Sequence, residues 1–200
     1  MREIETERLL LRQFTMDDLD DLYFIYSHPD LSKYLSNEQP LRLDQTRAAI
    51  NSIIESWQQH KFGVWAVVYK KHRKLIGHCG LKFLENTPEV QIGYLLLKDY
   101  WRRGFGTEAA AAVLKYGFDV VKLERIVAIA KPENIASRRV MEKIGMKYEK
   151  DAYYYDNDVV YYSLSRQAQQ LEALQLKDLG KYEELTLPIP QPLAPVLGGI

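Results

Sequence analysis

Nine consecutive residues, Trp101-Arg102-Arg103-Gly104-Phe105-Gly106-Thr107-Glu108-Ala109, place two glycines one residue apart beside two arginines, between an apolar run and an alanine-rich run. Glycines so spaced let the chain turn tightly and aim successive N–H groups outward at the positive end of a helix. With Arg102 and Arg103 at the same end, that geometry suits a phosphate or pyrophosphate. A plain glycine turn before a helix, with exposed arginines, is the alternative for so short a motif. A dinucleotide site of the Rossmann kind is disfavoured, because the third glycine is missing and the preceding strands read as antiparallel. A second polar group, Asn134-Ile135-Ala136-Ser137, opens the next helical run. Asn134 can cap that helix and Ser137 can bond within its first turn.

The elements that hold these residues follow from period. Arg8 to Phe14 (RLLLRQF) predicts a first strand, and Thr15 with Asp17 and Asp18 predicts the start of a helix running to about Ser27. His28-Pro29-Asp30 reads as the turn that stops it. A second helix starts near Asp44, with the stripe Ile50, Ile53, Ile54 and Trp57. Phe62 to Tyr69, Leu75 to Leu84 and Val90 to Leu97 then alternate at a period of two and predict consecutive antiparallel strands. The run from Glu108 to Val121 predicts a helix, Arg125 to Ala130 a strand, Ala136 to Ile144 a helix ended by Gly145, and Tyr148 to Leu164 a closing hairpin around Asp156-Asn157-Asp158. Five tyrosines between Tyr153 and Tyr162 can pack that hairpin or line a groove. The expected architecture is a mixed α/β sheet of six to seven strands, mostly antiparallel, with helices on its faces.

Composition removes several alternatives. The 200 residues carry 27 Lys+Arg against 27 Asp+Glu, so the general phosphate attraction behind most nucleic-acid binding is missing. The one cysteine, Cys79, forms no intrachain disulfide and offers no zinc cluster, so no metal is expected and it reads as a small buried residue. No apolar run reaches the ~18 residues of a membrane span, and MREIETERLLLRQF is too acidic for a signal peptide; a soluble, cytoplasmic protein is expected. From Gln167 onward the chain holds two lysines against four acids and four of the eight prolines. This predicts a domain over residues 1–166 and an arm over 167–200, made of a short amphipathic helix through Ala168, Leu171 and Leu174 and then a proline-rich extended tail.

Taken in order, TERLLLRQFTMDDLDDLY, the strand VQIGYLLL, the segment DYWRRGFGTEA and the run RIVAIAKPENIASRRVMEKIGMKYE resemble the GNAT superfamily of acetyl-coenzyme A-dependent N-acetyltransferases, in its RimJ/RimL-like branch. The resemblance covers about residues 5–166. It implies the GNAT fold, with a V-shaped opening between the strands at 90–97 and 125–130 that takes the pantetheine arm. It further implies that backbone N–H groups of Arg102, Arg103, Gly104, Phe105, Gly106 and Thr107 hold the pyrophosphate. Backbone groups of Leu95, Leu96 and Leu97 would pair with the pantetheine amides, and Asn134 and Ser137 would contact the cofactor. Trp101 stands where the broader superfamily has Gln or Arg, a departure familiar in this branch.

The reaction the resemblance implies is direct attack of a neutral amine on the thioester in a ternary complex. It needs a proton acceptor, an N–H donor for the oxyanion, expected near Leu95, and an acid for the departing thiolate, for which the branch proposes the serine matched by Ser137. Many relatives carry an acid where Gln91 stands. Glu89, two residues earlier on the same strand face, is the first substitute and His78 in the neighbouring strand the second, with a water chain an equal alternative. The expected acceptor is a protein or peptide N-terminus. A small amine such as a polyamine, amino acid or antibiotic is the alternative, as is a non-catalytic module that binds acyl-coenzyme A. The oligomeric state is left open, a homodimer included.

Overall fold

The computed structural model describes residues 3–32 and 39–171. Its strands are β1 (Ile4–Glu5), β2 (Leu9–Gln13), β3 (Val64–Tyr69), β4 (Lys74–Phe83), β5 (Val90–Leu96), β6 (Arg125–Ala130), β7 (Lys147–Tyr154) and β8 (Asn157–Ser165). They form one sheet in the order β1-β2-β3-β4-β5-β6-β8-β7, with β5 and β6 parallel and every other neighbouring pair antiparallel. The mixed, mostly antiparallel sheet is as expected, but it has eight strands rather than six to seven. The added strand is β1, whose two residues are too few to show a period.

The helices are α1 (Leu19–Tyr26), α2 (Pro29–Ser32), α3 (Leu43–His60), α4 (Phe105–Tyr116) and α5 (Ile135–Lys143). Between α1 and α2 the chain breaks at Ser27 and His28, where Pro29 was expected to force a stop. Ile50 and Trp57 of the predicted stripe on α3 are buried, and the Trp57 indole donates to the Val64 carbonyl at 3.1 Å. Helix α4 is widened after Tyr116 through residues 117–121 and closes on Lys122 in the left-handed region. Residues 166–171 are helical; Leu174 and the proline-rich tail of the expected arm lie outside the described residues.

Two features of β4 and β5 shape the site. Val67 opposes Gly77 while Val68 opposes Leu75, so Ile76 is an extra residue that bulges β4. At Gly77, with φ at +155°, an added Cβ would lie 2.0 Å from the Leu95 carbonyl oxygen, so only glycine lets the two strands meet there. On its other side β5 is registered with β6 only at Gln91–Val127, whereas its register with β4 runs from Gly77–Leu96 to Phe83–Val90. Beyond Gln91 the parallel pair therefore parts, and the sheet opens at its middle.

Candidate active site

The opening exposes one edge of β5. In an antiparallel ladder alternate residues turn their N–H and C=O toward the same neighbour. The Glu89 carbonyl accepts from Leu84 and the Leu97 N–H donates to the Ile76 carbonyl, so odd-numbered residues of β5 face β4. The main-chain groups of Tyr94 and Leu96 therefore face the gap. The Leu96 carbonyl already accepts the Trp101 indole N–H at 2.7 Å, which fastens the start of the glycine segment to the end of β5. The expectation for Leu95, Leu96 and Leu97 is corrected accordingly. Leu95 and Leu97 are committed to β4, and among the three only Leu96 presents its backbone to the opening.

The glycine segment forms the start of α4. Arg102 and Gly104 both take positive φ, 57° and 79°, which curls the chain so that the N–H groups of Phe105, Gly106 and Thr107 come first in the helix and lack partners within it. An added Cβ at Gly106 would meet nothing nearer than Val140 Cγ2 at 3.8 Å and Leu96 Cδ1 at 3.9 Å, so the helix start stays bare on that side without any packing need for it. Arg103 lies 5.2 Å from the Phe105 ring centroid and Arg8 lies 4.3 Å from the same ring. Exposed cations at a bare helix start suit a diphosphate.

Glu108 in the first turn of α4 would oppose an anion, and the fold neutralises it. Its carboxylate accepts from the Thr6 hydroxyl at 2.6 Å, from the Arg8 N–H at 2.9 Å and from Arg8 Nε at 2.7 Å, while Arg8 Nη1 donates to the Arg103 carbonyl at 2.9 Å. Partial burial pushes the Glu108 carboxyl up, but the bonds from Thr6 and Arg8 outweigh it and hold the pKa below the usual carboxylate range. The cluster ties the anion loop to the turn between β1 and β2. A Glu108→Ala change strands three donors; we expect a stability loss of about 2 kcal/mol, read from the denaturant midpoint, with weakened cofactor binding.

A cavity of about 590 Å³ passes through the opening. Side chains alternate along β5, so Gln91 points to one face, where Tyr26 of α1 reaches His78, and Tyr94 to the other, where α5 begins. Tyr94 Oη lies 3.0 Å from Ser137 Oγ and 3.0 Å from the Ser137 carbonyl oxygen. Asn134 caps α5, its side-chain oxygen accepting from the Ser137 N–H at 3.1 Å, and both residues line the cavity. Burial pushes the Tyr94 hydroxyl up, so it is a standing donor. Tyr94, like Tyr26 and Lys82, is a site residue that reading the sequence missed; its place beside Gly93 in the splayed strand was the available signal.

The face of the cavity to which Gln91 points holds His78, Lys82, Gln91 and, from the β7–β8 turn, Tyr155. Gln91 is buried and donates to Tyr155 Oη at 2.5 Å. His78 Nδ1 lies 3.2 Å from Tyr26 Oη, and burial together with the Lys82 charge pushes its pKa down to about 4. Glu89 is corrected as the candidate base. It does not line the cavity; one oxygen accepts from Tyr161 Oη at 2.6 Å and the other lies 3.5 Å from Arg125 Nε. Burial pushes the Cys79 thiol up, and it takes no part.

A parted β5–β6 pair beside an anion cradle at a helix start is the architecture of acyl-coenzyme A N-acyltransferases, and a family model described as Acetyltransferase (GNAT) domain matches residues 8–147. The chain belongs to that family. It is an N-acetyltransferase, similar to the N-acetyltransferase YnaD of Bacillus subtilis (strain 168), with 35% identity over 73% of this chain and 83% of that one. It is also similar to the crystal structure of a GNAT-family acetyltransferase from Bacillus anthracis, with a TM-score of 0.72 and 31% identity over 83% of this chain and 99% of that one. A coenzyme A complex of RimL, the ribosomal L7/L12 alpha-N-protein acetyltransferase, shares the fold at a TM-score of 0.72 and 18% identity, over 82% of this chain and 98% of that one. The family uses acetyl-coenzyme A. Among the described residues no helix is long and apolar enough to cross a membrane.

Proposed function

We propose that this enzyme acetylates the α-amine of a peptide or protein N-terminus, within a ternary complex and without a covalent enzyme intermediate. The observation that carries this reading is the lining of the cavity: among the described residues it holds Lys82 and Lys131 and no Asp or Glu, so it repels a polycation such as a polyamine. Acetyl-coenzyme A supplies the activated acetyl group as a thioester. The residues present fit it. N–H groups at the start of α4, with Arg102 and Arg103, hold the diphosphate, and the gap-facing main chain of Leu96 and Tyr94 pairs with the pantetheine amides. Ser137, oriented by Tyr94, meets the departing sulfur, and Asn134 sets the helix that carries it. A relative from Bacillus subtilis (strain 168) named as a putative ribosomal N-acetyltransferase, 34% identical over 43% of this chain and 52% of that one, supports this acceptor class, and we read the enzyme as cytoplasmic. We assign the catalytic domain to residues 1–166 and the arm to 167–200.

With no carboxylate in the described lining, the acceptor amine reaches its neutral form by its own ionisation, and the proton leaves along the polar wall of His78, Tyr26 and Gln91. His78, with its pKa at about 4, stays neutral through the working range. We expect kcat/KM for an N-terminal peptide to rise about tenfold per pH unit and level near pH 8, the usual α-amine pKa. Thiol release measured with peptides, polyamines and aminoglycosides tests the assignment. A polyamine preferred over every peptide, or a Glu89→Gln variant that loses the rising limb, would overturn it.

A further inference from the structure

We propose that the acceptor carries a carboxylate close to its reactive amine, and that Lys82 and Tyr155 bind it. This rests on the reading that the cavity takes a primary amine and adds what stands beside that amine.

Lys82 of β4 lies opposite Gln91 of β5, so both side chains rise from the same face of the sheet into the cavity. Its ammonium stands 5.0 Å over the Tyr155 ring. Burial lowers its pKa, the nearby Glu85 charge only partly offsets this, and Lys82 in turn lowers His78. Glu85 is engaged elsewhere, accepting the Tyr155 N–H at 2.6 Å. The side chain as a whole remains exposed to solvent, and its ammonium stands on a cavity wall whose described lining holds no carboxylate.

Tyr155 is held there at a cost. Tyr155 and Asp156, at φ 51° and 57°, form the two-residue turn between β7 and β8, a left-handed conformation that usually selects Gly or Asn. The Glu85 contact and a bond from Asn157 Nδ2 to the Tyr155 carbonyl at 2.6 Å secure it. Strain of this sort marks positions where side-chain placement matters. The Tyr155 oxygen accepts from Gln91, which leaves its own proton to donate. An ammonium and a hydroxyl proton on one wall make a carboxylate site.

A carboxylate there comes from an Asp or Glu in the first two residues of a peptide, or from the α-carboxylate of a free amino acid. The test compares kcat/KM for matched acceptors: Ala-Asp-initiated against Ala-Asn-initiated peptides, and free amino acids against their amides. One charge-assisted hydrogen bond predicts a preference of about tenfold for the acid in one of the two pairs, and the pair that shows it names the source. In Lys82→Met that ratio falls to within about twofold of unity, and in Tyr155→Phe it falls part of the way. Equal rates for acid and amide in the wild-type enzyme, or a preference that survives Lys82→Met, overturn the proposal while leaving the enzyme an N-terminal acetyltransferase. Turnover of no peptide and no amino acid overturns both readings.

Discussion

A Gly106→Val enzyme will melt within a few degrees of the wild type and lose at least about a hundredfold in acetyl-coenzyme A affinity, equivalent to about 2.7 kcal/mol. The two halves of this result separate because the Gly106 Cβ position is open within the protein, with Val140 Cγ2 and Leu96 Cδ1 at 3.8 and 3.9 Å, and its φ is an ordinary one. Valine ranks above glycine as a helix former, so the fold bears it. A diphosphate bound to the N–H groups of residues 105–107 needs the same space, and isopropyl bulk there pushes it off its donors. Gly104 would not serve, because its φ of 79° and a Cβ contact of 3.3 Å with Arg8 Nη2 make any change there a change to the fold. Calorimetric titration beside a thermal melt reads both quantities. Binding within tenfold of wild type would remove the loop from the cofactor site.

Ser137→Ala is expected to lower kcat by about a hundredfold with little change in acetyl-coenzyme A affinity, the usual scale for removing a positioned proton donor. The helix survives the change, since the cap bond is donated to the Asn134 side-chain oxygen by the Ser137 N–H and not by its hydroxyl. Tyr94→Phe removes the hydroxyl that lies 3.0 Å from Ser137 Oγ, and a loss of about tenfold is expected. Because Tyr94 acts through Ser137, the double variant loses about as much as Ser137→Ala alone. Additive losses would mean separate roles, and a kcat within twofold of wild type in Ser137→Ala would take that hydroxyl out of the reaction.

The elements that carry the candidate site are legible in the sequence. Helix and strand periods located the elements, and the glycine pair with its arginines lies at the start of α4 where an anion would be held. What remained hidden depended on partners distant in sequence. Glu108 looks like an acid misplaced beside an anion until Arg8, a hundred residues earlier, closes on it. Glu89 shares a strand face with Gln91, which made it the natural substitute base. Tyr161 and Arg125, from β8 and β6, hold it outside the cavity. Leu95, Leu96 and Leu97 are equivalent by type, and the ladder with β4 distinguishes them, because only alternate residues turn their backbone toward the gap.

The sequence by itself determined what local rules control: the periods of the elements, the turn-forming glycines, a single cysteine and an even balance of charge. The tertiary structure decided how far β5 and β6 part, which main-chain groups face the opening, and that the cavity wall carries Lys82 and Tyr155 without a described carboxylate. The physical reason is that periodicity and capping are properties of neighbours along the chain. Register, splay and the pairing of charges depend on contacts whose distance in sequence no local pattern records.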